Sequence, residues 1–89
     1  MERNPSPTTV DFQRQLDAVF ALARENALQS IVVKSGDLHA QVGGYPGTNH
    51  RMPLCCYVMR KNMKPEDSVI SEPPSGLGAT LKIRYQLPR

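Results

Sequence analysis

Two hydrophobic periodicities divide this 89-residue chain. Up to Met63 most apolar residues recur at the three- and four-residue spacing of amphipathic helices. From Ala79 to Leu87 they alternate strictly with polar residues, which is the spacing of a strand with one buried face. A chain this short builds one hydrophobic core, so the helices and the strand must share it. The sequence therefore predicts a single α+β domain.

The first helix is predicted to begin at Thr9. Its apolar side is formed by residues at helical spacing: Phe12, Leu16, Val19, Phe20, Ala23, Ala27 and Leu28. Thr8 or Thr9 can cap its N-terminus, and Asp11 lies in the first turn, where the helix dipole favours a negative charge. Residues 1–8 hold two prolines and no large apolar side chain after Met1, so we expect a flexible lead followed by a folded domain over 9–89.

The middle of the chain predicts a strand, two helices and a turn. The β-branched run Ser30–Lys34 favours a short strand. Ser35 is a suitable N-cap for a two-turn helix that Gly43 would end in a left-handed conformation. After the glycine-rich turn 44–49, Pro53 is tolerated only in the first turn of a helix, so the third helix must start between Asn49 and Met52. We predict this helix over about His50 to Met63.

The C-terminal region predicts a β-hairpin. Ser68–Ser71 is a short strand candidate, and the alternating run Ala79–Leu87 is its return strand. The intervening Glu72–Gly78 is too long for a tight turn and too rich in proline and glycine for regular structure, which predicts a protruding loop.

This order of elements resembles the winged helix-turn-helix superfamily over Thr9–Leu87. In that superfamily the helix after the turn usually lies in the DNA major groove, and the hairpin, or wing, touches the backbone. The resemblance implies that the helix His50–Met63 reads duplex DNA, in a transcriptional regulator or a DNA-targeting accessory protein. The six-residue turn is longer than the about three or four residues of a tight helix-turn-helix.

Basic and polar side chains form the candidate DNA contacts. Those on the third helix or directly after it are His50, Arg51, Tyr57, Arg60, Lys61 and Lys64, and those of the wing are Lys82 and Arg84, with Ser75 at the loop tip. Gly44, Gly47, Thr48 and Asn49 would offer a phosphate-contacting turn just before a helix N-terminus. Three alternatives stay open. The basic face can be an ordinary solvated surface, the glycines can serve a sharp turn, and Lys82 and Arg84 can protect an edge strand from aggregation.

Other chemistries find little support in the sequence. Histidine and cysteine ligands are limited to His39, His50, Cys55 and Cys56, and adjacent helical cysteines point about 100° apart, unlike a zinc knuckle. A Cys56–His50 nucleophile pair would lack a third orienting group. We therefore expect no metal, no cofactor and no enzyme activity. Cys55 and Cys56 are better interpreted as small core residues, with a subunit contact as the alternative for Cys56.

Charge, hydropathy and cysteine usage indicate the cellular compartment. The net charge is +3, no apolar run reaches the about 18 residues of a membrane span, and the first residues lack the apolar segment of a signal peptide. Adjacent cysteines do not build a disulfide framework, so we expect a cytoplasmic protein. So small a DNA-binding domain is expected to form a homodimer or join a partner protein. The alternative function is a protein-interaction module using Tyr57, Met52 and Leu77.

Overall fold

The computed structural model describes residues 7–43, 51–74 and 76–88. Within these ranges lie three helices and a three-stranded antiparallel sheet. The elements are α1 (Thr9–Glu25), β1 (Ser30–Lys34), α2 (Ser35–Val42), α3 (Met52–Lys61), β2 (Ser68–Ser71) and β3 (Lys82–Gln86). The predicted α+β class is confirmed, and the order helix, strand, helix, helix, hairpin is compatible with a winged helix.

Helix α1 begins with a capping box, as the Thr8 cap prediction required. The Asp11 N–H donates to Thr8 Oγ1 at 3.3 Å, and the Thr8 N–H donates to the Asp11 carboxylate at 2.9 Å. The extension of this helix through Leu28 was wrong. Ala27 has a φ of 59°, its N–H donates to the Arg24 carbonyl, and the Leu28 N–H donates to the Ala23 carbonyl. These two bonds form a Schellman motif, which turns the chain away from the helix axis.

The start of α2 corrects the predicted role of Ser35. Lys34 occupies the N-cap position without a side-chain cap, and Ser35 is the first helical residue. The Ser35 and Gly36 N–H groups donate to the carbonyls of Leu81 and Ala79 at 2.8 and 3.0 Å. A Cβ on Gly36 would lie 3.0 Å from the Ala79 oxygen, so any larger residue would push the turn away by a few tenths of an ångström. Backbone carbonyls of a distant turn therefore accept hydrogen bonds from the first N–H groups of the helix, a role that the sequence predicted for a serine side chain.

Gly43 follows the last residue of α2 as predicted, but its conformation differs from the prediction. Its φ of 114° is positive, whereas its ψ of 161° lies far from the left-handed helical region. Helix α3 starts at Met52, inside the interval that Pro53 allowed, with Arg51 as N-cap and Asn62 as C-cap. It is shorter than the predicted His50–Met63 at the C-terminal end, and His50 itself lies outside the described residues.

The strand order is β1-β3-β2, so β3 is the central strand. Ile31 pairs with Tyr85 and Lys34 with Lys82, while Ser68 pairs with Arg84 across the hairpin. This order removes the edge-protection interpretation of Lys82 and Arg84, because neither residue lies on an edge strand. Strand β3 is also shorter than the predicted Ala79–Leu87, since residues 79 to 81 form the turn that holds α2.

The loop between β2 and β3 folds back onto the helices, so the predicted protrusion was wrong. The Gly78 carbonyl accepts hydrogen bonds from Ser35 Oγ at 2.7 Å and from the Cys56 thiol at 3.4 Å. Arg60 donates to the Gly76 carbonyl at 3.1 Å. These bonds satisfy loop carbonyls that a protruding loop would leave to water.

The core lies between the helices and one face of the sheet. Its most deeply buried side chains come from all three helices and from the β3 segment: Phe12, Leu16, Leu38, Cys55, Cys56, Met59, Leu81, Ile83 and Tyr85. Tyr85 packs edge-on against Phe20 with ring centroids 4.9 Å apart, and its hydroxyl donates to the Met59 carbonyl at 2.8 Å. Cys55 and Cys56 are both fully buried, so the subunit contact suggested for Cys56 was wrong.

Candidate nucleic-acid interface

A buried histidine fixes the start of α3. The Arg51 N–H donates to His39 Nε2 at 2.7 Å, and the His39 ring lies edge-on to Phe12 with centroids 4.9 Å apart. His39 is fully buried. The imidazole was considered in the sequence only as a metal ligand, whereas here it accepts a backbone hydrogen bond at the point where the chain enters α3.

The other end of α3 is held by amide and carboxylate side chains. Gln13 of α1 and Asn62 exchange two amide hydrogen bonds of 3.0 and 2.7 Å. The buried Asp67 carboxylate accepts from the Lys64 N–H at 2.8 Å and from the Gln86 N–H at 2.7 Å. The helix is therefore tied to α1, α2 and β3, which gives it a defined orientation on the domain.

The solvent side of α3 carries an aromatic ring beside a cation. Tyr57 is 52% exposed, and Lys61 Nζ lies 5.8 Å from the centre of its ring, within cation–π range. No acidic residue occurs between Met52 and Lys61. This side of the helix is therefore positive and contains a flat apolar surface.

A groove of about 550 Å³ runs between the exposed side of α3 and the N-terminal half of α1. Its lining residues from both helices are Thr9, Val10, Gln13, Arg14, Asp17, Tyr57, Val58 and Lys61. Arg14 and Val10 were not predicted as site residues. Helical spacing along α1 could not show that these two residues face α3.

Arg60 has a different environment from its neighbour Lys61. One guanidinium nitrogen donates to the Glu72 carboxylate at 2.9 Å and to the Gly76 carbonyl at 3.1 Å. Of the predicted DNA contacts, Arg60 is thus the one that joins α3 to the wing loop. Its positive charge is partly balanced by Glu72.

Lys64 lies just beyond α3 in a second groove of about 320 Å³, together with Asp17, Phe20, Arg24 and Asn62. Arg51 is exposed at the opposite end of the helix. The cations of the α3 region are therefore spread along the whole helix and its two flanks. Tyr57 lies in the middle of α3, and Lys61 is its last residue.

Lys82 and Arg84 lie on the outer face of the sheet, which is the face turned away from the helices. Their neighbours along β3, Ile83 and Tyr85, are fully buried and point inward. The register adds Lys34 to this face, because it pairs directly with Lys82. The structure therefore separates these cations from those of α3. Lys34 was missed in the sequence because β1 and β3 are far apart along the chain.

The predicted phosphate-contacting turn lies outside the described residues. This applies to Gly44, Gly47, Thr48 and Asn49, to His50 and to Ser75 at the wing tip. The predicted contacts that the structure describes are Arg51, Tyr57, Arg60, Lys61, Lys64, Lys82 and Arg84.

The two thiols belong to the core rather than to a reactive site. Burial raises the pKa of Cys55 to about 12, and the adjacent Cys56 acts in the same direction. Burial also raises the pKa of Cys56, against a smaller opposing effect of the Ser35 hydroxyl and Arg60. The neutral thiols donate weak hydrogen bonds to the Ser35 and Gly78 carbonyls. Among the described residues, no three His, Cys, Asp or Glu side chains are grouped to hold a metal ion.

Comparisons with known protein families, with curated proteins and with solved structures found no match to this chain. None of the helices in the described ranges has the length and apolar character needed to cross a membrane. The fold and the geometry of the site therefore carry the functional interpretation.

Proposed function

We propose that this domain binds duplex DNA through the exposed side of α3. The observation that carries the proposal is the pairing of Tyr57 with Lys61 on a helix surface without acidic residues. Lysine supplies phosphate contacts and the tyrosine hydroxyl can donate to phosphate or base edges, which are the two kinds of contact that a DNA-binding helix makes.

The way α3 is held supports this role. Its start is attached to His39 and its end to Gln13 and Asp67, so the helix cannot rotate freely about its axis. A fixed helix loses little conformational entropy on binding, which favours specific contacts in a groove. Arg51, exposed at the N-cap, stands where recognition helices commonly reach base edges.

The wing contributes to the proposed DNA-binding surface because its loop lies beside α3. Because Arg60 binds Glu72 and Gly76, the loop after β2 lies against the C-terminal end of the helix. Under this proposal Arg60 acts mainly by holding the wing, and direct DNA contact falls to Arg51, Tyr57 and Lys61. We propose as an extension of this binding that the protein is a transcriptional regulator or a DNA-targeting accessory protein.

The test is a titration of a short duplex with the full chain and its Lys61→Gln variant, repeated over a range of salt concentrations. Losing one phosphate contact should weaken binding and reduce the salt slope of log K by about 1. Gln29→Glu is the matched control, because it lowers the net charge equally at an exposed site between α1 and β1. Equal binding by the Lys61→Gln and wild-type chains would contradict the proposal.

A protein-interaction role is the competing function, and the groove between α1 and α3 favours it because Val10 and Tyr57 are both exposed there. The surface first suggested for it needs correction, since Met52 is buried and only Tyr57 and Leu77 remain accessible. The same titration separates the two functions. If the chain does not bind duplex DNA at low salt but associates with a protein through this groove, it is a protein-interaction module.

A further inference from the structure

The outer face of the sheet carries three cations that the fold brings together from two distant parts of the chain. Lys34 on β1 lies directly opposite Lys82 on β3. Arg84 lies two residues further along β3, on the same face, between Val32 and Ser68 of the neighbouring strands. Alternate residues of a strand share a face, so the three cationic side chains project from one surface.

Nothing on these strands neutralises the cations. Strands β1, β2 and β3 contain no aspartate or glutamate. The Arg60–Glu72 ion pair does not involve this face. Arg84 lies between the apolar Val32 of β1 and the polar Ser68 of β2, and Ser30 lies opposite Gln86.

The Lys34–Lys82 pair is unfavourable for folding by itself. Like charges directly opposite each other on neighbouring strands destabilise a sheet. Protection of a sheet edge accounts for Lys34, which lies on the edge strand β1, but not for Lys82 and Arg84, which belong to the central strand. A bound polyanion would remove the repulsion, and serine hydroxyls beside lysine and arginine are common ligands of phosphate oxygens.

We propose that Lys34, Lys82 and Arg84 form a second surface for the phosphate backbone of nucleic acid, separate from α3. This inference rests on the proposed DNA binding and extends it. Since the surface faces away from the helices, one domain would hold one nucleic-acid segment on α3 and another on the sheet. The domain would then bridge two duplexes or two parts of one duplex.

The first test maps backbone amide signals of the full chain during titration with a short duplex at low salt. Shifts in both β1/β3 and α3 support both proposals. Shifts confined to α3 overturn the sheet surface and leave the proposed function intact. Shifts confined to the sheet keep the second surface and overturn DNA binding by α3, and the absence of shifts in either region overturns both.

The second test uses Lys34→Gln/Lys82→Gln. This double variant should lower duplex affinity at low salt by about tenfold or more and reduce the salt slope by about 2. In a second assay, protein saturates an immobilised duplex and a labelled second duplex is added. The wild type should capture the labelled duplex and the double variant should not. Lys61→Gln should instead weaken the contact that α3 makes. Unchanged affinity and capture in the double variant would overturn the proposal.

A stability measurement separates binding from folding. Lys34→Glu places opposite charges across the two strands, so its thermal midpoint should be equal to or above that of the wild type while its duplex affinity falls. A variant that lost affinity only because it unfolded would show a lowered midpoint. Retained duplex affinity in the folded Lys34→Glu chain would count against the second surface.

Discussion

Arg60 donates a hydrogen bond of 2.9 Å to Glu72 and thereby joins α3 to the wing loop. Both side chains are partly exposed, so the pair contributes less to stability than to the placement of the loop. The same nitrogen also donates to the Gly76 carbonyl, which makes the guanidinium a bridge between a charged side chain and the loop backbone.

Glu72→Gln should lower the free energy of unfolding by less than about 1 kcal/mol, because the lost ion pair is solvent-exposed. It should increase amide hydrogen exchange in the loop more than elsewhere. Glu66→Gln, an exposed carboxylate outside this pair, is the control. Equal exchange in the two variants would show that Glu72 does not hold the wing.

Ala27→Gly should stabilise the protein by about 1 kcal/mol, because Ala27 adopts the left-handed φ of 59° that glycine accepts without a steric penalty. Ala18→Gly is the matched control at an exposed position inside α1, where the same substitution should cost about 1 kcal/mol through lost helix propensity. Chemical denaturation of both variants measures the effect. The same sign for both changes would contradict the conformation of Ala27.

Asp67→Ala should lower the free energy of unfolding by about 2 to 3 kcal/mol, because it leaves the N–H groups of Lys64 and Gln86 without their charged acceptor. Removal of the neighbouring exposed carboxylate in Glu66→Ala should change stability by no more than about 0.5 kcal/mol. Denaturant unfolding compares the two. Similar losses for both would show that the Asp67 contacts are unimportant.

Burial of Cys55 predicts a loss of stability at alkaline pH. The unfolded thiol releases its proton near the ordinary pKa of 9.0, whereas the folded thiol retains it up to a pKa of about 12. Above pH 9 the unfolded state therefore binds fewer protons, and the free energy of unfolding falls as the pH rises toward 12. One pH unit above 9, this loss should reach about 1 kcal/mol. Below pH 9 the contribution is constant.

Unfolding of the wild type and of Cys55→Ala at increasing pH measures this contribution. The variant will be less stable throughout because of its cavity, so the slope above pH 9 is the informative quantity. A shallower slope in the variant is expected, and identical slopes would refute the assignment. As an independent check, iodoacetamide should modify the thiols of the denatured chain much faster than those of the native chain.

Local signals predicted much of the fold. Thr8 and Asp11 at the correct spacing predicted a helix start, and the Pro53 ring restricted where α3 could begin. The β-branched run of β1 predicted a short strand, and the alternation around Ile83 and Tyr85 predicted a strand with one buried face. Each of these features depends on the chemistry of a few neighbouring residues, which the sequence displays directly.

The prediction at Ser35 failed because a distant segment supplied the hydrogen-bond partners, whereas the end of α1 differs because of the local conformation of Ala27. Ser35 has the chemistry of an N-cap, but the carbonyls of Ala79 and Leu81 accept the hydrogen bonds of the first helical N–H groups. The structure also gives Arg60, one of the predicted DNA contacts, an ion pair with Glu72. Neither relation can be deduced from spacing along the chain.

The sequence by itself determined the helices, the strands and the basic character of α3, because periodicity and capping are local properties. Tertiary structure decided which cations share a surface. Pairing of β1 with β3 placed Lys34 opposite Lys82, and packing of α1 against α3 made a groove at Tyr57 and Lys61. Long-range pairing depends on register and on how faces pack together, and these are set only when the whole core forms.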